Sequence, residues 1–186
     1  MKREELEHII RASADVTKEY EFVIVGSQSI LGSVPNPPPA FTVSMEADIY
    51  PLQSPELADA IDGAIGEGSH FHQTNGYYAQ GVGPNTAVLP SDWLNRVHRV
   101  QNVNTNGRVG YCLDVADLFL SKAVAGREKD REFCIALLEH RYVSPERLLA
   151  LVQSMPIANA EQRALRATIR RWAKSLRNAG HDIPNA

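Results

Sequence analysis

"TVSMEADIY", residues 42–50, decides how this chain is read. As a strand it sets Val43, Met45, Ala47 and Ile49 on one face and Ser44, Glu46 and Asp48 on the other. Acidic residues are poor strand formers and costly to bury without a partner. Two carboxylates at i and i+2 share a face and repel unless a cation or a proton sits between them. Mg²⁺ suits such a pair, because it takes hard oxygen ligands and substrate phosphates. The plain alternative is a solvent-facing strand that happens to be acidic.

Upstream, "EFVIVGSQSI" reads as a buried strand that stops at Gly26, followed by a helix beginning near Ser27. A glycine at that junction lets a phosphate approach the backbone, and the free N–H groups of a helix start favour an anion. Strand-glycine-helix junctions are also common for steric reasons alone. "PNPPPA", residues 35–40, is a stiff loop with little donor capacity.

The flanking segments supply the rest of an α/β layer. Residues 2–14 have helical spacing at Leu6, Ile9, Ile10 and Ala14, and "SPELADAIDGAIG" starts a helix at Ser54–Pro55. "GYYAQGVGPNTAVLP" suits one or two short strands. "NRVHRVQNVNTNGRVGYCLD" alternates like a strand pair turning at "NTNG". His70 and His72 in "GSHFHQTNGYY" alternate like strand neighbours, but two histidines without a third ligand are weak evidence for a metal. Asn75, Tyr77 and Tyr78 are candidates to contact a base, with packing around a turn at Gly76 as the plainer reading.

From Asp114 the pattern turns helical. "DVADLFLSKAVAGREKDREFCIALLEHR" is one bent helix or two joined around Gly126; "SPERLLALVQSM" restarts with its own Ser-Pro signal; a last helix stops at Gly180. In "LSKAVAGREKDREF", Lys122, Arg127 and Asp130 fall on neighbouring turns, and Lys129 follows the same rim. Cations here suit a triphosphate, and Asp130 could orient Lys122 or Arg127. A solvated face of helical ion pairs is the alternative. In the last helix Arg163, Arg166 and Arg170 share a face that Lys174 and Arg177 extend, a stripe fit for RNA phosphates, although Ile169 and Trp172 show that the helix also packs.

Bulk properties narrow the class. The chain has 186 residues, 44% apolar and 22% charged, a net charge of −3 and a pI near 6.1. These values suit one globular domain and argue against whole-molecule nucleic-acid binding. Cys112 and Cys134 sit in apolar runs and read as buried free thiols. No signal peptide or apolar run of spanning length is visible, so no membrane is expected and the cytoplasm is the default.

Taken in order, Gly26–Ser27 after the first strand, Glu46-x-Asp48 on the second and the later Lys122…Arg127-x-x-Asp130 helix resemble the nucleotidyltransferase superfamily. The resemblance is to small members of the bacterial abortive-infection and toxin-type branch, over residues 20–140. It implies a mixed α/β (α+β) fold, a mixed sheet flanked by helices; with the helical pattern from Asp114, residues 1–113 are expected to form that core and 114–186 a helical part packed on it as one compact unit. By position, Gly26 and Ser27 would bind phosphate, and Glu46 and Asp48 would hold Mg²⁺ as the catalytic pair. Lys122 and Arg127 would contact the triphosphate, supported by Asp130. The implied activity moves a nucleoside monophosphate from a nucleoside triphosphate to an RNA or protein acceptor, as the toxin of a toxin–antitoxin pair.

Departures from that pattern define an alternative. Glu46 stands where Asp is usual, and Thr42 and Ser44 stand where the toxin branch often has Arg and Thr. The family's third carboxylate belongs on a following strand, yet "YYAQGV" and "NTAVLP" hold no acid, leaving Asp92 and Asp114 as substitutes. The alternative is a catalytically degenerate member of the fold that binds a nucleotide or a partner protein.

Overall fold

The computed structural model describes residues 1–184, which divide into two compact units. The first comprises Met1–Ala87 and Arg96–Asp114; the second comprises Val88–Asn95 and the chain from Val115 onward. The fold is mixed α+β, as the sequence predicts.

The first unit is built on a five-stranded mixed sheet of order β3-β2-β1-β5-β4. The strands are β1 (Glu21–Val25), β2 (Glu46–Pro51), β3 (Tyr78–Gly81), β4 (His98–Val100) and β5 (Val109–Cys112). β1 runs antiparallel to β2 and parallel to β5, β3 runs parallel to β2, and β4 closes the far edge antiparallel to β5. The expected "NTNG" turn joins β4 to β5, with Asn106 and Gly107 at φ +52° and +72°.

Register fixes which residues share a face. Ile24 lies opposite both Ile49 and Cys112, whereas Val25 lies opposite Asp48. The Ile24 face receives α1 (Arg3–Thr17) and α2 (Ala58–Ile65). Gly110 and Gly81 make room for them: a side chain at Gly110 would overlap Ile10, and one at Gly81 would overlap the backbone at Ala58. Leu6, Ile9, Ile10, Ile24, Ile49 and Ile61 are all inaccessible to solvent in this layer. Each such side chain contributes about 1.5–3 kcal/mol relative to exposure. Glu46 and Asp48 therefore stand on the face opposite α1 and α2.

Glu7 ties α1 to the β4–β5 connection. Its carboxylate accepts hydrogen bonds from Arg3 Nε (2.9 Å), Asn102 Nδ2 (2.8 Å) and Asn104 Nδ2 (2.9 Å). Burial by itself would raise its pKa, but these three donors outweigh it and hold the carboxyl below the ordinary glutamate value.

The second unit contains α4 (Val115–Ala125), α5 (Glu128–Glu139), α6 (Pro145–Leu151) and α7 (Asn159–Asn178). The stretch from 114 is thus two helices, broken at Gly126, whose φ of +70° a side chain would resist. Ser144 caps α6, its Oγ accepting from Arg147 N–H at 3.2 Å, with Pro145 in the first turn. α4 packs on α5 and α6, and α7 packs on α5 and α6, around Phe119, Leu137, Leu148 and Ile169. Trp172 meets Phe119 edge-on at 6.0 Å, as a core anchor would. Cys112 and Cys134 are buried free thiols, as expected, and burial pushes the Cys112 thiol up to about 12, well away from reactivity.

The helix expected to begin near Ser27 is present as a six-residue 3-10 helix (Ser27–Gly32). Two local expectations are corrected. β2 begins at Glu46, so Val43 and Met45 are not on a buried strand face; they are 81% and 55% exposed. His70 and His72 lie on a short helix, α3 (His70–Asn75), not on a strand. Ser69 caps it, accepting from His72 N–H at 3.2 Å, and Gly76 ends it at φ +78°. Those two bracketing signals outweigh a local alternation of polar and aromatic residues.

Candidate active site

At the end of β1 the chain makes an abrupt turn. Gly26 has φ +66° and ψ −168°, and a Cβ placed there would overlap the Asp48 carboxylate. Only glycine allows both the backbone conformation and the close approach of Asp48. The Gly26–Ser27 backbone and the second carboxylate of the acidic pair are thus brought together, as the sequence pattern implies.

Ser29 fixes this turn to the sheet. Its hydroxyl accepts from Leu113 N–H and lies 3.4 Å from Leu113 O, so the 3-10 helix is stitched to the end of β5. Gly32 lies so close to Cys112 and His98 that a side chain there would overlap them. In so short a 3-10 helix the aligned peptide dipoles are few, so an anion near Ser27 would depend on individual N–H groups rather than on a helix macrodipole.

Glu46 and Asp48 are both half-buried and separated by the fully buried Ala47. The i, i+2 spacing on a true strand places the two carboxylates on one face, and the closest β3 neighbours in register are Tyr78 and Gln80. The Tyr78 hydroxyl donates to Glu46 Oε2 at 3.1 Å. Burial first, then the charge and hydrogen bond of Glu46, push the Tyr78 phenol up to about 12, so it remains a donor at any physiological pH. Behind it the His72 ring lies 4.6 Å from the Tyr78 ring, and His72 Nδ1 accepts from Gly68 N–H at 3.0 Å.

Tyr78 and Gln80 occupy the β3 positions where the resemblance would place a third carboxylate. Among the described residues no group of three or more His, Cys, Asp or Glu side chains could hold a metal ion. Asp114 contacts His98 Nε2 at 3.3 Å, and His98 lies opposite Cys112 in register, on the face away from Asp48. The two carboxylates of β2 nevertheless fit a divalent cation: hard oxygen donors, paired on one face, with Asp48 drawn against the Gly26 backbone.

In the second unit, Lys122, Arg127 and Asp130 also meet. Asp130 is fully buried; its Oδ1 accepts from Lys122 Nζ at 3.1 Å and its Oδ2 from Arg127 Nε at 2.6 Å. Desolvation would raise the Asp130 carboxyl, but the donors and charges of Arg127 and Lys122 outweigh it and hold the group below the usual aspartate range. The Lys122 ammonium lies 4.7 Å from the centre of the Phe133 ring. Lys129 is exposed on the adjacent turn.

Two features escape a reading of the sequence alone. Tyr78 as the partner of Glu46 requires the β2–β3 register, which no local pattern announces. The stripe of cations on α7 is divided: Arg166 donates to Leu149 O at 2.6 Å and Arg177 to Pro184 O at 2.9 Å. Arg163, Arg170 and Lys174 stay exposed.

No curated protein and no solved structure matches the chain. The profile of one family, described as "Nucleotidyltransferase of unknown function (DUF6036)", matches residues 4–179 and so spans both units. No helix among the described residues is long and apolar enough to cross a membrane. With a Gly-Ser turn held against an acidic strand and nearly the whole length covered by the profile, the chain belongs to this nucleotidyltransferase family.

Proposed function

We propose that the chain transfers a nucleoside monophosphate from a nucleoside triphosphate to an RNA or protein acceptor, with Mg²⁺ held by Glu46 and Asp48. One observation carries this reading: the Asp48 carboxylate fills the space that a side chain at position 26 would need, which ties the phosphate-approach turn to the carboxylate pair. Bound there, Mg²⁺ supplies positive charge to the phosphate oxygens and a template for in-line attack. Gly26 and Ser27 present backbone to the phosphates. Tyr78 orients Glu46. Lys122 and Arg127, held by Asp130, are assigned to the triphosphate by the resemblance and by their shared carboxylate.

The test is calorimetric titration of each nucleoside triphosphate with and without Mg²⁺, on the wild type and on Glu46→Gln/Asp48→Asn. Binding that needs the metal and disappears in the double variant is the expected result. Unchanged binding in the double variant rules the assignment out. An acceptor screen follows, with labelled nucleotide offered to total RNA and to soluble protein. Growth arrest on expression, relieved in the double variant, would support action as a bacterial toxin.

A second reading draws on Tyr78 and Gln80 standing in place of a third acid. On that reading the pocket binds a nucleotide without transferring it. Tight metal-dependent binding with no labelled product on any acceptor would favour it.

A further inference from the structure

The helical unit contains a half-open cavity of about 390 Å³ between α4, α5 and α7. Lys122 of α4, Gly126 at the break after it, Arg131 of α5, and Thr168, Arg171 and Trp172 of α7 line it, and its lining holds no carboxylate. Lys122 is paired with the buried Asp130 at 3.1 Å, so the cationic character of the cavity rests on Arg131 and Arg171, with no carboxylate in the lining to meet them. The C-terminal end of α4 offsets about half a charge.

The two arginines are also poorly occupied. Among the described residues the Arg131 side chain makes no hydrogen bond or ion pair. Arg171 reaches only Thr168 Oγ1, at 3.5 Å. Planar guanidinium forks match phosphate oxygens, and the Thr168 hydroxyl adds a further donor. Trp172, 9% exposed, gives the cavity an apolar wall, and the volume exceeds what one phosphate needs. We propose that this cavity binds a phosphate-bearing nucleotide unit, clamped by Arg131 and Arg171 against Trp172. The unit comes either from a free nucleotide or from an RNA strand. This site does not depend on the carboxylate pair of β2, and it is distinct from the α7 stripe read from the sequence.

The test uses the full chain in the Trp93→Phe background, so that Trp172 is the sole tryptophan, and in EDTA, so that metal-dependent binding is silent. The probes are AMP, adenosine and a 5′-phosphorylated hexa-adenylate, titrated by Trp172 fluorescence at several salt concentrations. AMP and the oligonucleotide are expected to bind and adenosine not to. Arg131→Gln/Arg171→Gln is expected to weaken binding at least tenfold, while Arg163→Gln, a loss of charge outside the cavity, leaves it within twofold. For the oligonucleotide the salt slope should fall by about 1.4, as two strand phosphates lose their cations.

Oligonucleotide binding at least tenfold tighter than AMP identifies the RNA strand as the source; equal binding identifies the free nucleotide. Binding unchanged in Arg131→Gln/Arg171→Gln, or equal for adenosine and AMP, overturns the proposal, as does no binding of either phosphorylated probe at low salt. Repeating the titration in Glu46→Gln/Asp48→Asn separates the two assignments. The cavity signal should persist there even if metal-dependent triphosphate binding is lost.

Discussion

Asp130 and the Glu46–Asp48 pair are carboxylates in opposite circumstances. Asp130 has no solvent exposure, and both of its oxygens are taken by cations, at 3.1 Å and 2.6 Å. Two protein cations already neutralise it away from solvent, so it holds Lys122 and Arg127 rather than offering an open site to a metal. Glu46 and Asp48 share one face of a strand, half-buried, and the β3 residues opposite them are the neutral Tyr78 and Gln80. The same chemical group therefore fixes side chains in one unit and suits a diffusible cation in the other.

Removing a satisfied carboxylate should cost the most. Asp130→Ala leaves the Lys122 ammonium, 10% exposed, without its partner, and should destabilise by about 3–5 kcal/mol in urea titration. A cost below 1 kcal/mol would show that Lys122 finds other compensation, and the contrast with the acidic strand would weaken. The pH dependence has a definite sign. Because the folded Asp130 carboxyl lies below its unfolded value, its contribution is complete above about pH 4 and is lost as pH falls through the folded value. Glu46→Gln, by contrast, keeps an acceptor for the Tyr78 hydroxyl and removes one of two like charges on the strand, so its cost should be far smaller than that of Asp130→Ala.

Gly26→Ala comes next. The backbone there, φ +66° and ψ −168°, costs a non-glycine residue about 1–3 kcal/mol, and the new methyl must displace the Asp48 carboxylate. A total of about 2–4 kcal/mol is expected, together with loss of metal-dependent nucleotide binding. Retained binding in a folded Gly26→Ala would break the link between the turn and the carboxylate pair.

Glu7 is an intermediate case, satisfied by one cation and two amides. Glu7→Ala should cost about 2–3 kcal/mol, less than Asp130→Ala, because no buried cation is stranded. Differential scanning at neutral pH checks the ranking. An equal or larger cost would show that anchoring the β4–β5 connection matters more than the charge balance.

Much of this contrast can be read before the fold is known. The alternation in "EADIY" marks a half-buried strand, "NTNG" marks the β4–β5 connection, and Gly126 marks a break between helices. The Ser-Pro pairs at 54–55 and 144–145 both precede helical segments. What escapes is non-local. Alternation continues through Val43 and Met45 although the strand does not, because β3 is only four residues long and pairs with Glu46–Ile49. The parallel insertion of β5 beside β1 joins segments more than eighty residues apart. For Lys122 and Asp130, helical spacing places the side chains near one another, but their depth of burial depends on packing that spacing does not encode.

The smallest expected effect is the most informative about the acidic strand. Tyr78→Phe removes one hydroxyl from Glu46 and little else, so stability should change by less than about 1 kcal/mol. Glu46 can answer in two ways. If the hydroxyl orients Glu46 for a cation, its loss should weaken Mg²⁺-dependent triphosphate binding about tenfold, as outer-layer hydrogen bonds to metal ligands generally do. If the hydroxyl instead competes with the cation for Glu46 Oε2, binding should tighten. The 3.1 Å donor to one oxygen leaves Oε1 for a metal, which favours weakening. A phenol pushed up to about 12 keeps its proton throughout the accessible range, so the ratio of wild-type to Tyr78→Phe affinity should stay flat between pH 6 and 9. A ratio that changes across that window would mean that a different group governs Glu46, and the strand would have to be reread from Asp48 alone.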